Sequence, residues 1–243
     1  MILDIYKDAL EYSAKDWKTL VILGVICLFS FLFLPAFLIT GFNYRVINTA
    51  VHGIINGRDP LPGFDDPIDM FIDGVKVVIV QVIYLIVPMI IFLVFALIAG
   101  HISGIASGVL IFIGCLITLV VGVAACLMSQ MGICHMAYND GAFSKAFALS
   151  EIKEVIDEIG WFECILTYIG LIIIVFVISV VVTTLIGIIF ALFGVSGAFL
   201  GVDPSGILLL GTFINSTIAM FIVGPYLSIF ASRSMGLLYT MQI

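Results

Sequence analysis

Several runs of more than twenty almost wholly apolar residues dominate this sequence. The clearest are residues 77–99, 105–133, 162–193 and 207–233. About 20 apolar residues cross the ~30 Å hydrocarbon core of a bilayer, where backbone groups must be paired internally. Of the 243 residues, 63% are hydrophobic and 10% are charged, whereas roughly a quarter are charged in soluble domains. The sequence therefore predicts an all-α, polytopic membrane helical bundle.

The first apolar block allows two interpretations. In one, residues 18–42 form a single membrane-crossing helix. In the other, residues 18–34 cross once, the chain turns at Pro35, and residues 36–56 return as a second helix. A proline favours such a turn, because it lacks the backbone donor that a continuous helix needs. The side of the membrane on which the flanking charges lie can decide between the two.

The basic residues divide the connections into two groups. All nine Lys and Arg lie outside residues 100–108 and 194–206. By the positive-inside rule those two connections are external, and both termini and residues 58–76 are cytoplasmic. An even number of crossings must then precede residue 58, which favours the Pro35 hairpin. We expect about six hydrophobic segments in three hairpins of a cell-membrane protein.

Acidic segments of similar pattern lead into the three predicted hairpins. They are residues 5–18, 66–76 and 150–161, and each is expected to form an amphipathic helix on the cytoplasmic membrane surface. In the second, Asp66 should cap a helix that has Pro67 in its first turn. We predict one membrane domain, residues 1–243, made of three repeated units.

The predicted repeat units are residues 1–57, 58–140 and 141–243. The second segment of each predicted hairpin also ends in a similar way, with polar and aromatic residues at the inner surface. A simpler explanation remains open, because any protein made of helical hairpins places charged and aromatic residues at its interfaces.

A succession of short motifs resembles a known family. The chain reads G-F-N-Y-R at 41–45, L-P-G-F-D-D at 61–66, F-I-D-G-V-K at 71–76 and I-Y-L-I-V-P at 83–88. These motifs are similar to those of DUF4013, a family of archaeal membrane proteins. The resemblance covers most of the chain and implies an archaeal cell-membrane protein. It supplies no activity and no functional residue.

Motifs for enzyme chemistry are absent from the sequence. It contains no GxxxxGK[ST], HExxH or GxSxG. No ionisable residue lies near the middle of a predicted span, although such residues mark many ion and proton pathways. We therefore expect no enzyme activity, no cofactor and no metal site. The net charge of −7 argues against a nucleic-acid partner, which would need a basic face.

Polar side chains cluster at the inner ends of the predicted spans. If the three units surround an axis, these side chains could form one cytoplasm-facing pocket, in which Arg45 and Arg233 suit a phosphate or carboxylate group. Alternatively, they reach the interface and pair with acidic residues of the surface helices. The candidate pocket residues are Asn43, Tyr44, Arg45, Gln130, His135, Asn139 and Arg233.

Two functions are compatible with this architecture. The first is a structural or interaction protein, a scaffold or oligomer, whose partners are membrane lipid, further copies of the chain or another membrane protein. Small residues within the spans, such as Gly114 and Gly122, favour close helix packing and support it. The alternative is a transporter or channel for a small or lipid-like substrate, supported by the predicted repeat and the polar pocket.

Overall fold

The protein is built from α-helices. The computed structural model describes residues 2–57, 59–199, 201 and 203–242, and this part of the chain contains no β-strand. Short 3₁₀ helices lie at Ser30–Leu32, Phe143–Phe147 and Thr240–Gln242, and the π-helical turn Ala219–Val223 joins the last two α-helices without a break. The predicted all-α fold is confirmed. The α-helices are α1 (Ile2–Ser13), α2 (Trp17–Leu28), α3 (Leu34–Val51), α4 (Pro67–Gly100), α5 (Ile105–Tyr138), α6 (Leu149–Ile159), α7 (Trp161–Phe199), α8 (Pro204–Ile218) and α9 (Gly224–Tyr239).

Within the described residues, four helical segments are long and apolar enough to cross a bilayer. They are Pro67–Gly100, Ile105–Tyr138, Trp161–Ser196 and the continuous rod Ser205–Tyr239, and mean hydropathy in their most apolar windows lies between 2.0 and 3.1. At 1.5 Å per residue, the 34 residues of α4 extend ~51 Å, well beyond the ~30 Å hydrocarbon core. The chain is a multi-pass membrane protein with four long segments where the sequence predicted six.

The first hairpin accounts for the difference between the six predicted membrane segments and the four long ones. The chain turns at Phe33, whose φ is 63°, Pro35 lies in the first turn of α3, and α3 packs back against α2. The 12 residues of α2 reach only ~18 Å, which is too short to span. In α3, the side chains of Phe42 and Val46 are completely buried in protein. The hairpin predicted at Pro35 exists; its tip at residues 31–34 is exposed, and the second half of α3 is largely buried in protein.

The second helices of the three hairpins converge at one end of the molecule. There α3, α5 and α9 pack together, α1 packs on α9, and α6 packs against α5 and α7. Tyr44, Cys134 and Phe230 contribute to the buried core. We call this end the base; it comprises α1, α6, residues 52–57, 59–66 and 139–148, and the adjoining ends of the other helices. The base holds most of the side chains that the protein buries.

The amphipathic helices differ from the expected surface helices in two respects. The apolar faces of α1 and α6 contact protein, since Ile5 and Ala9 in α1 and Ile152 and Ile156 in α6 are completely buried. Residues 67–76 are the first turns of α4 and do not form a separate helix. An amphipathic pattern specifies only that one face is apolar, and a neighbouring helix buries such a face as well as a membrane does.

Beyond the base, each long helix packs mainly against its neighbour in the same hairpin. In the most apolar windows only 0–11% of the residues are buried. Gly114 lies against Phe95 in the α4–α5 hairpin, and Gly211 lies against Phe190 in the α7–α8 hairpin. Matching contacts of this kind are what repeated units 58–140 and 141–243 would produce. The threefold repeat itself stays a prediction.

Candidate functional site

A cavity of about 320 Å³ lies beside the base, where the three hairpins meet. Helices α3, α4, α5, α7 and α9 all contribute to its wall, which is half polar and half apolar in residue type. Among the residues that the structure describes, no acid, lysine, arginine or histidine lines it. We call it the central cavity. Its polar lining residues are Thr40, Asn43, Tyr44, Gln81, Gln130, Tyr168, Ser228 and Ser232.

Three carboxamide groups from three different helices meet in the central cavity. Asn43 comes from α3, Gln81 from α4 and Gln130 from α5. The Asn43 Oδ1 atom is buried and has no hydrogen-bond partner, and neither glutamine side chain bonds to any residue that the structure describes. Each group therefore retains both donor and acceptor capacity. The cavity can hydrogen-bond a molecule that enters it.

A second polar cluster surrounds Arg233, which is fully buried (0% exposed) in α9. Its Nε atom donates to Asp8 Oδ1 at 3.0 Å, and its Nη2 atom donates to Asp59 Oδ2 at 2.8 Å. The guanidinium carbon lies 4.5 Å from the centre of the Tyr12 ring, within cation–π range. Burial raises the pKa of the Tyr12 phenol to about 12, against the opposing effect of the Arg233 charge. This cluster ties α1, the loop after α3 and α9 together.

A third polar cluster centres on His135 in α5. Its Nε2 atom lies 2.9 Å from Glu151 Oε2, and its Nδ1 atom lies 2.6 Å from the Tyr239 hydroxyl. A carboxylate only accepts, so we assign the Nε2 proton to the Glu151 contact and let Nδ1 accept from Tyr239. Lys145 Nζ also donates to Glu151, at 2.7 Å. Hydrogen bonds from Lys145, and then from His135, hold the pKa of Glu151 below its usual value.

Arg45 anchors the loop that leads into α4. Its Nη1 atom donates to the Asp65 carbonyl at 2.5 Å, and its Nη2 atom donates to the Asp66 carbonyl at 3.0 Å. The helix begins at Pro67, as predicted, but the Asp66 side chain makes no capping bond. Asp66 has a φ of 54°, and its carbonyl faces Arg45. Arg45 therefore has a structural role in this loop.

The seven residues of the predicted pocket lie in different places. Asn43, Tyr44 and Gln130 line the central cavity. The two arginines suggested for an anion are bonded elsewhere, Arg45 to loop carbonyls and Arg233 to carboxylates. Asn139 bonds the His135 carbonyl at 2.8 Å and so belongs to the third cluster with His135. No described residue contributes a cationic group to the central cavity.

The predicted pocket included neither Gln81 nor Tyr168, which both line the central cavity. A signal for Gln81 was present, because it interrupts the otherwise apolar run VVIVQVIYL at 77–85. A polar residue inside a span is a candidate functional residue, since it usually faces other helices or a cavity. Tyr168 gave no comparable signal, because tyrosine is common near membrane interfaces.

A comparison with known protein families identifies the family of this chain. Residues 27–191 match the family described as a protein of unknown function, DUF4013. The match covers more than half of the 243 residues. The chain belongs to this family. Searches among curated proteins and among solved structures found no match.

Several residues of the DUF4013 motifs have visible structural roles. Phe42 stacks on Phe64 of the loop, with ring centres 5.0 Å apart. A side chain at Gly41 would collide with the backbone of Met70 in α4. The three carboxamides of the central cavity lie inside the range that matches DUF4013, whereas Asp8 and Arg233 lie outside it. The motifs thus describe how α3, the following loop and α4 fit together.

Proposed function

We propose that this DUF4013 protein is a structural or interaction protein of the cell membrane that associates with further copies of itself through its long hairpins. The supporting observation is the small burial of those hairpins, 0–11% of residues in their most apolar windows. Lipid covers such faces in a monomer, and helices of a second copy cover them in an oligomer. Helix association in lipid depends on close van der Waals packing, which small residues permit.

Two glycines favour association over lipid contact alone. Gly122 in α5 and Gly187 in α7 lie within long helices, and an added Cβ would meet no atom within 4 Å at either. Glycine lowers helix stability by about 1 kcal/mol relative to alanine. Neither position needs a glycine for packing within the described chain. Close approach of a helix from another copy is a function that these glycines can serve.

The assembly proposal predicts a change of oligomeric state in a variant. The chain, extracted from membranes into polymer nanodiscs without detergent, should appear as an oligomer by native mass spectrometry. Replacing Gly122→Leu and Gly187→Leu together should weaken association about tenfold or more, because leucine keeps helix backbones apart. The control Val120→Leu, at an exposed position of the same helix, should leave the oligomer intact. A wild-type chain that is monomeric in these nanodiscs contradicts the proposal.

We also propose that the base faces the cytoplasm. The Lys and Arg residues that the structure describes lie at the base or in helix turns next to it, and the hairpin connections at the opposite end carry only His101 and Asp203 as titratable groups. This asymmetry agrees with the positive-inside rule. Both termini are then cytoplasmic.

A labelling experiment tests this orientation. In a background without native cysteines, a membrane-impermeant maleimide should label Ser103→Cys, in the connection after α4, in intact cells. It should label Glu154→Cys, on the exposed side of α6, only after the cells are permeabilised. The reverse pattern would place the base outside.

The central cavity favours a second candidate function, transport of a small or lipid-like substrate. Its neutral polar wall is formed by helices of all three hairpins, as in transporters whose sites lie between repeated units. A flux of a small uncharged solute into proteoliposomes, lost on blocking the cavity, would favour transport over assembly.

A further inference from the structure

The central cavity is lined by carboxamide groups that have no hydrogen-bond partner among the described residues. Most buried side-chain polar atoms have a partner in the protein or an ordered water. Here the Asn43 Oδ1 atom is buried without a partner, and the half-buried carboxamides of Gln81 and Gln130 line the same cavity without bonding any residue that the structure describes. Apolar side chains at these positions would cost less free energy in a membrane protein. Their convergence from three helices indicates a ligand.

We propose that the central cavity binds an uncharged polyhydroxyl group, such as a sugar or glycerol moiety. A carboxamide offers a donor and an acceptor side by side, and a hydroxyl group both donates and accepts, so the two match. Ser232 adds a hydroxyl, and the rings of Tyr44 and Tyr168 add flat surface beside the apolar lining residues. A wall made of both polar and apolar residues suits a ring or short chain of hydroxyl-bearing carbons.

The neutral wall of the cavity is unsuited to an anionic ligand. A phosphate or carboxylate in this cavity would meet no cationic side chain of the described residues, because Arg45 and Arg233 are both bonded outside it. Moving an ion out of water without a partner costs several kcal/mol. An anion therefore binds poorly here, and an uncharged group with many hydroxyls binds well.

The position of the cavity allows two sources for this group. Gln81 lies about four turns after the start of α4, and Gln130 about two turns before the end of α5, so the cavity sits near one interface of the membrane. Its volume of about 320 Å³ is at the lower end for small-molecule sites. A lipid head group and a free polyol present the same chemistry. The proposal rests on the cavity alone and holds whether or not the chain assembles.

A binding experiment tests the proposal with the full chain in phosphatidylcholine nanodiscs. The probes are monoglucosyl diacylglycerol, free glucose, and phosphatidic acid as an anionic lipid without alcohol groups in its head group. The glucosyl lipid or glucose should raise the thermal unfolding midpoint, because a ligand that binds the folded state stabilises it. Stabilisation by the glycolipid alone assigns a lipid head group, and stabilisation by glucose assigns a free polyol. Failure of both, or equal stabilisation by phosphatidic acid, overturns the proposal.

Substitutions of the carboxamide residues test whether these groups contribute to that binding. Gln81→Leu and Gln130→Leu should each weaken binding about tenfold, the order expected for one lost hydrogen bond. The control Asn48→Leu removes an exposed carboxamide of α3 outside the cavity and should bind normally. Without ligand, the leucine variants should unfold no earlier than the wild type, since they remove amides that lack partners. Unchanged binding, or earlier unfolding without ligand, would show that the amides serve the fold.

Discussion

Replacing Arg233→Met is expected to lower the free energy of unfolding by about 3–5 kcal/mol, because removing one partner of a buried ion pair leaves its counter-charge uncompensated. Arg233 is fully buried and lies between the carboxylates of Asp8 and Asp59. Without the guanidinium, Asp8 stays 5% exposed and faces a second acid. Reversible unfolding in mixed micelles by added SDS measures the change.

A matched variant shows how much of the effect comes from burial of the ion pair and how much from the loss of a positive charge. Lys7→Met also removes a cation from an ion pair, since Lys7 lies 4.0 Å from Glu11, but both side chains are about 70% exposed. Its effect should stay below about 1 kcal/mol, as for other surface pairs. Adding Asp8→Asn and Asp59→Asn to Arg233→Met should recover part of the loss, because the uncompensated charges disappear. Equal effects of Lys7→Met and Arg233→Met would mean that the buried cluster contributes no more than a surface pair.

Local features of the fold could be predicted from the sequence because their causes are local. Pro35 lies in the first turn of α3 and Pro67 begins α4, in keeping with the preference of proline for the first turn of a helix. The long apolar runs became helices because lipid leaves no other way to pair the backbone. Each of these inferences needs only a few neighbouring residues.

The partners of the apolar faces could not be predicted in the same way. Hydropathy shows that residues 36–51 and the faces of α1 and α6 avoid water, but lipid and protein satisfy this requirement equally. Ile5 of α1 is buried in a cluster with Ala50 and Leu237, residues far apart in sequence. Such contacts depend on the tertiary fold. The sequence therefore predicted six hydrophobic segments, while the part of the chain that the structure describes has four long ones.

The residues of the candidate site could likewise be predicted only in part from the sequence. Asn43 and Gln130 were predicted from their polarity near the ends of apolar runs, and both line the central cavity. Arg233 and Asp8 are 225 residues apart, and His135 and Tyr239 are 104 apart. Nothing in one sequence pairs residues at such separations. Sequence polarity thus identifies candidate residues, while the division into one neutral cavity and two bonded clusters appears only in three dimensions.

Stability and interaction with partners depend on different parts of the molecule, the base and the distal hairpins. Ion-pair and hydrogen-bond clusters connect α1, α6 and the loops at the base, whereas the distal hairpins are bare apolar surface. Local opening is easiest where few side chains are buried. The hairpins are consequently the parts best able to adjust to a partner.

Adding one methyl group where α3 crosses α4 should have the second large effect. A Cβ atom at Gly41 would collide with the backbone carbonyl of Met70, and one at Gly74 would collide with that of Phe37. Gly→Ala in a helix normally stabilises by about 0.5–1 kcal/mol. At Gly41 we expect the opposite, a net loss of about 2–3 kcal/mol, because backbone atoms can move only if the two helices separate.

Two further variants make this prediction specific. Gly122→Ala, where an added Cβ meets nothing within 4 Å, should be neutral or stabilising by the same SDS unfolding measurement in a monomeric micelle. The double variant Gly41→Ala with Gly74→Ala should lose clearly less than the sum of the single losses. Helices already forced apart by the first methyl group accommodate the second, and contacting residues are generally non-additive. Full additivity would instead mean that the two glycines act at independent contacts, and that the shared α3–α4 approach does not determine the cost.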